Sequence, residues 1–158
     1  MPDTVRLYVA AAFDRAYLCG GWASVRLIGA EPAGFAGGER RTTVRRMLLT
    51  GLAAGLRGLP PAVAVRIRTD ATEAKALSAI LSGAVAGPED DLAIWAPILI
   101  ACRNRPVTVT AATADPDTPL AFAHAWADLS RDKARTKGPF TATIPRTNVA
   151  QVGWRKQD

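Results

Sequence analysis

The chain has 158 residues, 49% of them apolar, and 20 lysines and arginines against 14 acidic residues, a formal net charge of +6. This length accommodates one domain with a buried core. Its two cysteines, Cys19 and Cys102, form neither a disulfide framework nor a metal-binding spacing and are expected to be reduced thiols. The longest uncharged apolar run, LAIWAPILIAC at 92–102, is too short for a bilayer, which needs about 20 residues. With no signal-peptide pattern at the N-terminus, we expect a soluble cytoplasmic protein without a membrane segment.

The first half of the chain predicts three strands and a helix. Residues 5–13 are rich in Val, Leu, Tyr and Phe and predict a strand. A second strand over 19–30 follows a short connection, so the two should form a hairpin, and a glycine-containing third strand is predicted over 34–41. The stretch RRTTVRRMLLTGLAAGL at 40–56 then predicts a helix, because two threonines that can cap it precede apolar residues at helical spacing.

The second half alternates strands and helices. Alternating β-branched residues predict a strand over 62–69, and Pro97 should kink or end the helical pattern at 91–104. The other predicted elements are a helix over 71–83, a strand over 106–113 and a helix over 119–134. The order is that of a mixed α/β domain over 1–134. A basic tail over 135–158 follows, expected to be extended or ordered only against the body or a partner.

Positive charge is segregated along the chain. From Arg40 to Arg68 there are seven arginines and no acid, and from Lys133 to Asp158 there are six basic residues and one acid. Arginine binds phosphate through parallel hydrogen bonds, so this segregation favours a nucleic-acid-binding face. Two other interpretations remain open: a GC-rich genome also raises the arginine content, and a basic face is often simply solvated.

Three short motifs follow one another along the chain: GGW at 20–22, TTVRRMLL at 42–49 and TDA at 69–71. In these motifs and in the order of its elements, the sequence resembles type I ribonuclease H over roughly residues 5–134. The resemblance implies an α/β fold with a five-stranded mixed sheet, in which three antiparallel strands come first and helices cover both faces. It also implies an enzyme that cuts the RNA strand of RNA–DNA hybrids with two magnesium ions.

The resemblance further indicates which residues would hold the magnesium ions. The family places aspartates on the first strand, at the end of the fourth strand and in the last helix, and a glutamate on the first helix. The matching positions here are Ala10, Asp70, Ala127 and Leu48. Only Asp70 is acidic, whereas Mg²⁺ needs several oxygen ligands that converge on one point. Even if Asp128 takes the place of Ala127, the site has two carboxylates beside a leucine, so we predict no catalytic or metal-binding residues.

Asp70 has two structural interpretations. It shares a strand face with Arg68 and is expected to pair with an arginine, or it caps the helix that begins at Ala71, with Glu73 completing a capping box. His124 lies among Ala, Phe and Trp residues of the last helix. It is interpreted as a core or edge residue, because the sequence offers it no partner.

The leading hypothesis is a catalytically inactive ribonuclease H-like domain that binds nucleic acid. The residues predicted to contact nucleic acid are Arg40, Arg41, Thr43, Arg45, Arg46 and Arg68. The tail offers a second basic contact through Arg146, Arg155 and Lys156 near Trp154, unless this segment is only solvated.

Two other functions are kept as alternatives. One is a module that binds a protein partner, or a second copy as a homodimer, through an apolar former active site formed by Ala10, Leu48 and Ala127. The other is a residual nuclease that cuts RNA–DNA hybrids. No cofactor is expected, apart from Mg²⁺ in the nuclease case.

Overall fold

The computed structural model describes residues 4–85, 87 and 89–154. The strands are β1 (Val5–Asp14), β2 (Cys19–Ile28), β3 (Glu31–Glu39), β4 (Val65–Thr69), β5 (Val107–Ala111) and β6 (Phe140–Ile144). The helices are α1 (Val44–Leu56), α2 (Ala71–Leu81), α3 (Leu92–Cys102), α4 (Pro119–Lys137) and α5 (Arg146–Ala150). Every predicted strand and helix is present, with its ends shifted by a few residues.

The strands form one sheet in the order β5-β4-β1-β2-β3-β6. β1 is antiparallel to β2, and β2 is antiparallel to β3. β4 runs parallel to β1, and β5 runs parallel to β4. The predicted α/β arrangement, with three antiparallel strands followed by alternating helices and strands, is confirmed.

The predicted number of five strands is wrong, because the segment after α4 adds a sixth. β6 pairs antiparallel with β3 and places Ile144 opposite Gly34. This pairing satisfies backbone N–H and C=O groups that β3 would otherwise present at the edge of the sheet. The stretch between Pro139 and Pro145, FTATI, alternates apolar residues with threonines, which is a short strand signal, and the edge of β3 supplies its hydrogen-bond partners.

Helices cover both faces of the sheet, as predicted. Because side chains alternate along a strand, Leu7 and Val9 of β1 belong to the core that β1 shares with α1, α2 and α3. The alternate residues Tyr8 and Ala10 belong to a second core on the opposite face, formed with α4 and the C-terminal segment. The two cores hold the sheet between two helical layers.

The Gly-Gly pair at the start of β2 is a packing requirement on both faces of the sheet. A Cβ atom at Gly20 would lie 2.6 Å from Cγ of Met47 on α1. A Cβ atom at Gly21 would lie 2.2 Å from the carbonyl oxygen of Ala127 and 2.3 Å from the backbone nitrogen of Arg131, both on α4. Glycine at these two positions therefore allows one helix to approach the strand from each side.

Two features of the predicted helices can be compared with the structure. The side chain of Thr43 accepts a hydrogen bond from the backbone N–H of Arg46 at 3.1 Å, which confirms the predicted N-cap of α1. Pro97 does not end α3, which continues to Cys102. The proline removes the N–H that would bond the carbonyl of Ala93, and both residues are exposed, so water can hydrate this carbonyl.

The described part of the C-terminal segment folds back on the second core. The ring of Trp154 lies 5.9 Å from the ring of Tyr8, centroid to centroid, in an edge-on arrangement. The indole N–H of Trp154 donates a hydrogen bond to the carbonyl oxygen of Val149 at 3.0 Å. The segment is therefore ordered against the body, one of the two outcomes expected from its sequence.

Cys19 and Cys102 are free thiols, in agreement with the prediction. Burial raises the pKa of the Cys102 thiol, which keeps it protonated near neutral pH. Among the described residues, no helix is long and apolar enough to cross a membrane.

Replacing Gly21 by alanine is expected to lower the free energy of unfolding by about 3 kcal/mol, because the new methyl group meets backbone atoms of α4. Gly58→Ala is the matched control, since nothing lies within 4 Å of its Cβ position and its φ of +71° alone should cost about 1 to 2 kcal/mol. Urea denaturation measures both losses. Equal losses would contradict the close approach of α4 to β2.

Candidate nucleic-acid interface

The end of β4 brings Asp70 next to α4. The Nε2 atom of His124 lies 3.0 Å from Oδ1 and 2.8 Å from Oδ2 of Asp70. The expected pairing of Asp70 with an arginine is wrong, because its partner is a histidine. Asp70 does occupy the predicted N-cap position of α2, but its side chain makes no capping hydrogen bond. The interpretation of His124 missed this contact, because it joins residues 54 positions apart that only the packing of α4 on the sheet brings together.

Arg40 is held by the C-terminal end of α4. Its Nε–H donates to the carbonyl oxygen of Ala134 at 3.0 Å, and its Nη2 donates to the carbonyl oxygen of Arg135 at 3.0 Å. The last carbonyls of a helix carry partial negative charge, so a guanidinium stabilises them. Arg40 therefore fixes α4 against the start of α1, and these hydrogen-bond donors are already used within the protein.

Arg46 is neutralised by two acids. Its guanidinium lies 3.1 Å from Glu39 at the end of β3 and 3.0 Å from Asp91 at the start of α3. Partial burial by itself lowers the pKa of Arg46, but the hydrogen bonds from Asp91 and Glu39 and their charges outweigh this effect and raise the pKa above its ordinary value. Arg46 joins three elements, and little of its charge remains for a ligand.

Arg41 and Arg45 differ from these two arginines. Both are exposed, and neither side chain forms a hydrogen bond or ion pair with any residue in the described ranges. They flank Thr43, whose hydroxyl caps α1. The first turn of α1 contains no acidic residue, so the positive end of the helix dipole adds to the two guanidinium charges.

The turn between β1 and β2 lies beside the start of α1, because the backbone N–H of Thr42 donates to the carbonyl oxygen of Leu18 at 3.0 Å. Tyr17 in this turn is 60% exposed, and the guanidinium carbon of Arg135 lies 5.0 Å from the centre of its ring. Oδ1 of Asp14 accepts a hydrogen bond from the backbone N–H of Tyr17 at 3.2 Å, which restrains the turn. The turn therefore places the exposed ring of Tyr17 close to the start of α1, which Arg41 precedes.

We call the exposed residues around the start of α1 the basic edge: Arg15 and Tyr17 of the β1–β2 turn, Arg41 and Arg45 beside Thr43, and Arg135, whose guanidinium lies over the Tyr17 ring. Sequence reasoning found two of the five, Arg41 and Arg45. The other three residues were not predicted. Arg15 and Tyr17 lie in the turn between β1 and β2, where an arginine and a tyrosine between two predicted strands were the one available signal, and Arg135 lies near the end of α4.

Arg68 lies apart from the basic edge. Its neighbour Ile67 belongs to the core on the α1 side of the sheet, so Arg68 points to the opposite face, beside Tyr8 on β1. Arg146 is likewise distant, in an ion pair with Glu31 at the other end of β3.

The two other tail residues predicted to contact nucleic acid, Arg155 and Lys156, lie outside the described residues. The second basic contact through the tail therefore stays a prediction.

No protein-family model matches the sequence, and no curated protein matches it. Its structure is similar to the N-terminal ribonuclease H domain of Rv2228c from Mycobacterium tuberculosis, with a TM-score of 0.67 and 17% identity over 84% of this chain and 96% of that one. It is also similar to LC9-RNase H1, a type 1 enzyme with the type 2 active-site motif (TM-score 0.68, 14% identity, 94% and 81% of the two chains). A third similar structure is LC11-RNase H1 in complex with an RNA/DNA hybrid (TM-score 0.64, 15% identity, 82% and 98%).

The chain has the ribonuclease H fold. The resemblance found in the GGW, TTVRRMLL and TDA motifs is therefore confirmed at the level of the fold. The sequence resemblance matches Ala10, Leu48, Asp70 and Ala127 to the family's carboxylates, and the structure shows the surroundings of each.

The residues that the sequence resemblance matches to the family's carboxylates do not fit a pair of magnesium ions. Ala10 and Ala127 are completely buried in the core beneath α4, and Leu48 is 5% exposed in the core on the other face. None of the three has an oxygen ligand to offer, and Asp70 is bound to His124. Nowhere in the described ranges do three or more His, Cys, Asp or Glu side chains come together as metal ligands.

Asp128, the alternative ligand to Ala127, is directed away from the end of β4. Its carboxylate lies 3.5 Å from the guanidinium of Arg131, one turn further along α4, and its side chain is 56% exposed. The neighbouring Ala127 faces Gly21 instead.

The contact between Asp70 and His124 is expected to have a small coupling energy, about 0.5 kcal/mol, because both side chains are partly exposed to water. A double-mutant cycle with Asp70→Ala and His124→Ala, measured by urea denaturation, gives this coupling energy. If the cycle gave no coupling while Asp70→Ala alone destabilised the protein by about 1 kcal/mol, Asp70 would act as a helix cap instead.

Proposed function

We propose that this ribonuclease H-like domain binds nucleic acid through the basic edge and does not cleave it by two-metal hydrolysis. The observation that carries the proposal is the pair of exposed arginines at the start of α1, Arg41 and Arg45, which have no partner in the described part of the chain. Two unpaired guanidinium groups at the positive end of a helix favour a polyanion, and phosphate oxygens suit their geometry.

The surroundings of these arginines support the proposal. Arg40 and Arg46, which are tied to carbonyls and carboxylates, hold α4, β3 and α3 around the start of α1. Binding there would meet a preorganised surface and would order few side chains. Tyr17 adds an exposed aromatic ring, on which an unpaired base can stack.

The comparison with LC11-RNase H1, which was solved with an RNA/DNA hybrid, supports a hybrid as the first ligand to test. Phosphate contacts carry no base information, so we expect the domain to bind hybrids, duplexes and single strands with affinities that fall steeply with salt. The competing function, a metal-dependent nuclease, requires ligands that the described residues do not bring together.

The apolar former active site gives little support to a protein-binding module. Ala10, Leu48 and Ala127 are buried inside the chain and present no surface to a second molecule. Ala10 and Ala127 share their core with Val152 and Trp154, so the C-terminal segment of this chain takes part in covering them.

Arg41→Glu combined with Arg45→Glu is expected to weaken binding of a short RNA–DNA hybrid at least about tenfold at low salt. The slope of log affinity against log salt should fall by about two, one for each lost phosphate contact. Fluorescence anisotropy over a series of salt concentrations measures both quantities.

The matched control is Arg57→Glu with Arg66→Glu, which changes the net charge equally at two exposed arginines away from the start of α1, one directly after the C-terminal end of α1 and one opposite Arg6 in the register of β1 and β4. We expect a much smaller loss of affinity. Equal losses in the two double variants, or no binding of the hybrid by the unmodified protein at low salt, would contradict the proposed interface.

The protein is expected to leave an RNA–DNA hybrid uncut in either Mg²⁺ or Mn²⁺, because Asp70 stands without further carboxylates. A gel assay with end-labelled RNA in the hybrid tests this, with Asp70→Asn prepared in parallel. Metal-dependent cleavage that disappears in Asp70→Asn would overturn the inactive assignment while leaving the binding surface intact.

A further inference from the structure

Helix α3 has an apolar face that this chain does not cover. Its sequence, LAIWAPILIAC, contains no charged residue. Trp95 and Ile98 are buried in the core that α3 shares with α1, whereas Leu92 is 61% exposed, Leu99 44% and Ile100 64%. A helix that is apolar on all sides is normally buried on all sides, so the outward face of α3 is suited to a second contact.

The outward residues of α3 have the spacing of a helix–helix interface. Leu92, Ala96 and Leu99 recur at i, i+4 and i+7, the spacing of alternating d and a positions, and the next position in the series is Arg103. Ile100 lies alongside this seam. The small side chain of Ala96 at its centre allows the backbone of a partner helix to come close.

The apolar surface continues from α3 into a groove of about 610 Å³ between α1 and α3. Ala53 and Leu56 of α1 line one side, and Pro97 and Ile100 of α3 line the other. A large apolar side chain from a partner helix that crosses α3 can enter this groove, so the contact is not limited to one row of residues.

The charges at the two ends of α3 are opposite in sign. Glu89 and Asp90 precede the helix and Arg103 follows it, and all three are exposed. In the described part of the chain, none of their three side chains forms a hydrogen bond or ion pair. Asp91, by contrast, is already paired with Arg46.

These opposite charges favour a second copy of α3 as the partner, packed antiparallel to the first. If a second copy of α3 packs antiparallel on the first, Glu89 and Asp90 of each copy meet Arg103 of the other, and the two helix dipoles oppose each other favourably. A parallel copy would place like charges together at both ends. The same patch then serves both subunits, as a twofold interface requires.

We propose that α3 is the interface of a homodimer in which two copies of this helix pack antiparallel about a twofold axis near Ala96. The seam of Leu92, Ala96 and Leu99 forms its centre, and the acidic and basic ends form its rim. This inference concerns the face formed by α3 and does not depend on nucleic-acid binding at the basic edge.

Sedimentation velocity over a range of concentrations tests for the dimer. The unmodified protein is expected to sediment as a dimer, and Leu99→Asp as a monomer, because a carboxylate would be buried at the seam. The matched control is Leu129→Asp, the same change at a leucine on α4 that is 63% exposed, which should remain dimeric. Thermal unfolding of each variant verifies that it is folded, since both sites are exposed.

Charge reversal tests the antiparallel arrangement. Arg103→Glu, and separately Glu89→Arg with Asp90→Arg, should each weaken dimerisation about tenfold or more, and all three changes together should restore it. A monomer at every concentration, or a dimer insensitive to Leu99→Asp, would overturn the proposal and leave the face to a helix of another protein. A dimer that depends on Leu99 but ignores the charge reversals would overturn the antiparallel packing.

Discussion

The close approach of α4 to the hairpin of β1 and β2 is the constraint on which the rest of the structure depends. It requires Gly21, because any side chain there would overlap the backbone of α4 at Ala127 and Arg131. Once α4 is seated at this distance, its N-terminal half brings His124 to Asp70, and its C-terminal end offers carbonyl groups to Arg40. One helix–strand contact thus positions both the Asp70–His124 pair and Arg40 next to the start of α1.

The same contact explains why small apolar residues occupy two of the positions that the sequence resemblance matches to the family's carboxylates. Ala10 and Ala127 lie within the core beneath α4, where small apolar side chains allow dense packing and a carboxylate would lose its hydration. Leu48 strengthens the core on the other face. The positions that the sequence resemblance matches to the family's metal ligands contribute here to packing, and Arg41 and Arg45 at the basic edge are exposed.

Helix α3 has apolar residues both in the core and on the surface. Trp95 and Ile98 are buried within the chain, but the opposite face has no cover among the described residues. Its N-terminal end is joined to the rest of the fold by the ion pair of Asp91 with Arg46. Because that ion pair also reaches β3 through Glu39, the outward face of α3 is held on a rigid frame, whose geometry suits a specific contact better than a mobile segment would.

Much of the fold could be predicted from the sequence, because its signals are local. The periodicity of RRTTVRRMLLTGLAAGL and the cap at Thr43 are properties of neighbouring residues, and the structure confirms both. The order of the strands along the chain could also be predicted from the sequence. The sequence likewise shows that three of the four positions matched to the family's carboxylates carry no acidic residue. β6 was missed, because its five residues become a strand only where the edge of β3 offers hydrogen-bond partners.

The candidate site was predicted only in part, because its contacts join distant parts of the chain. The sequence by itself determined that arginines crowd the start of α1 and that Asp70 is the one acidic residue at the four positions matched to the family's carboxylates. Only the tertiary structure decided that Arg46 is neutralised while Arg41 is free, and that Asp70 pairs with His124. The physical reason is that charge along a chain is a local property, whereas the pairing of a charge depends on which groups the packed helices and strands bring within hydrogen-bonding distance.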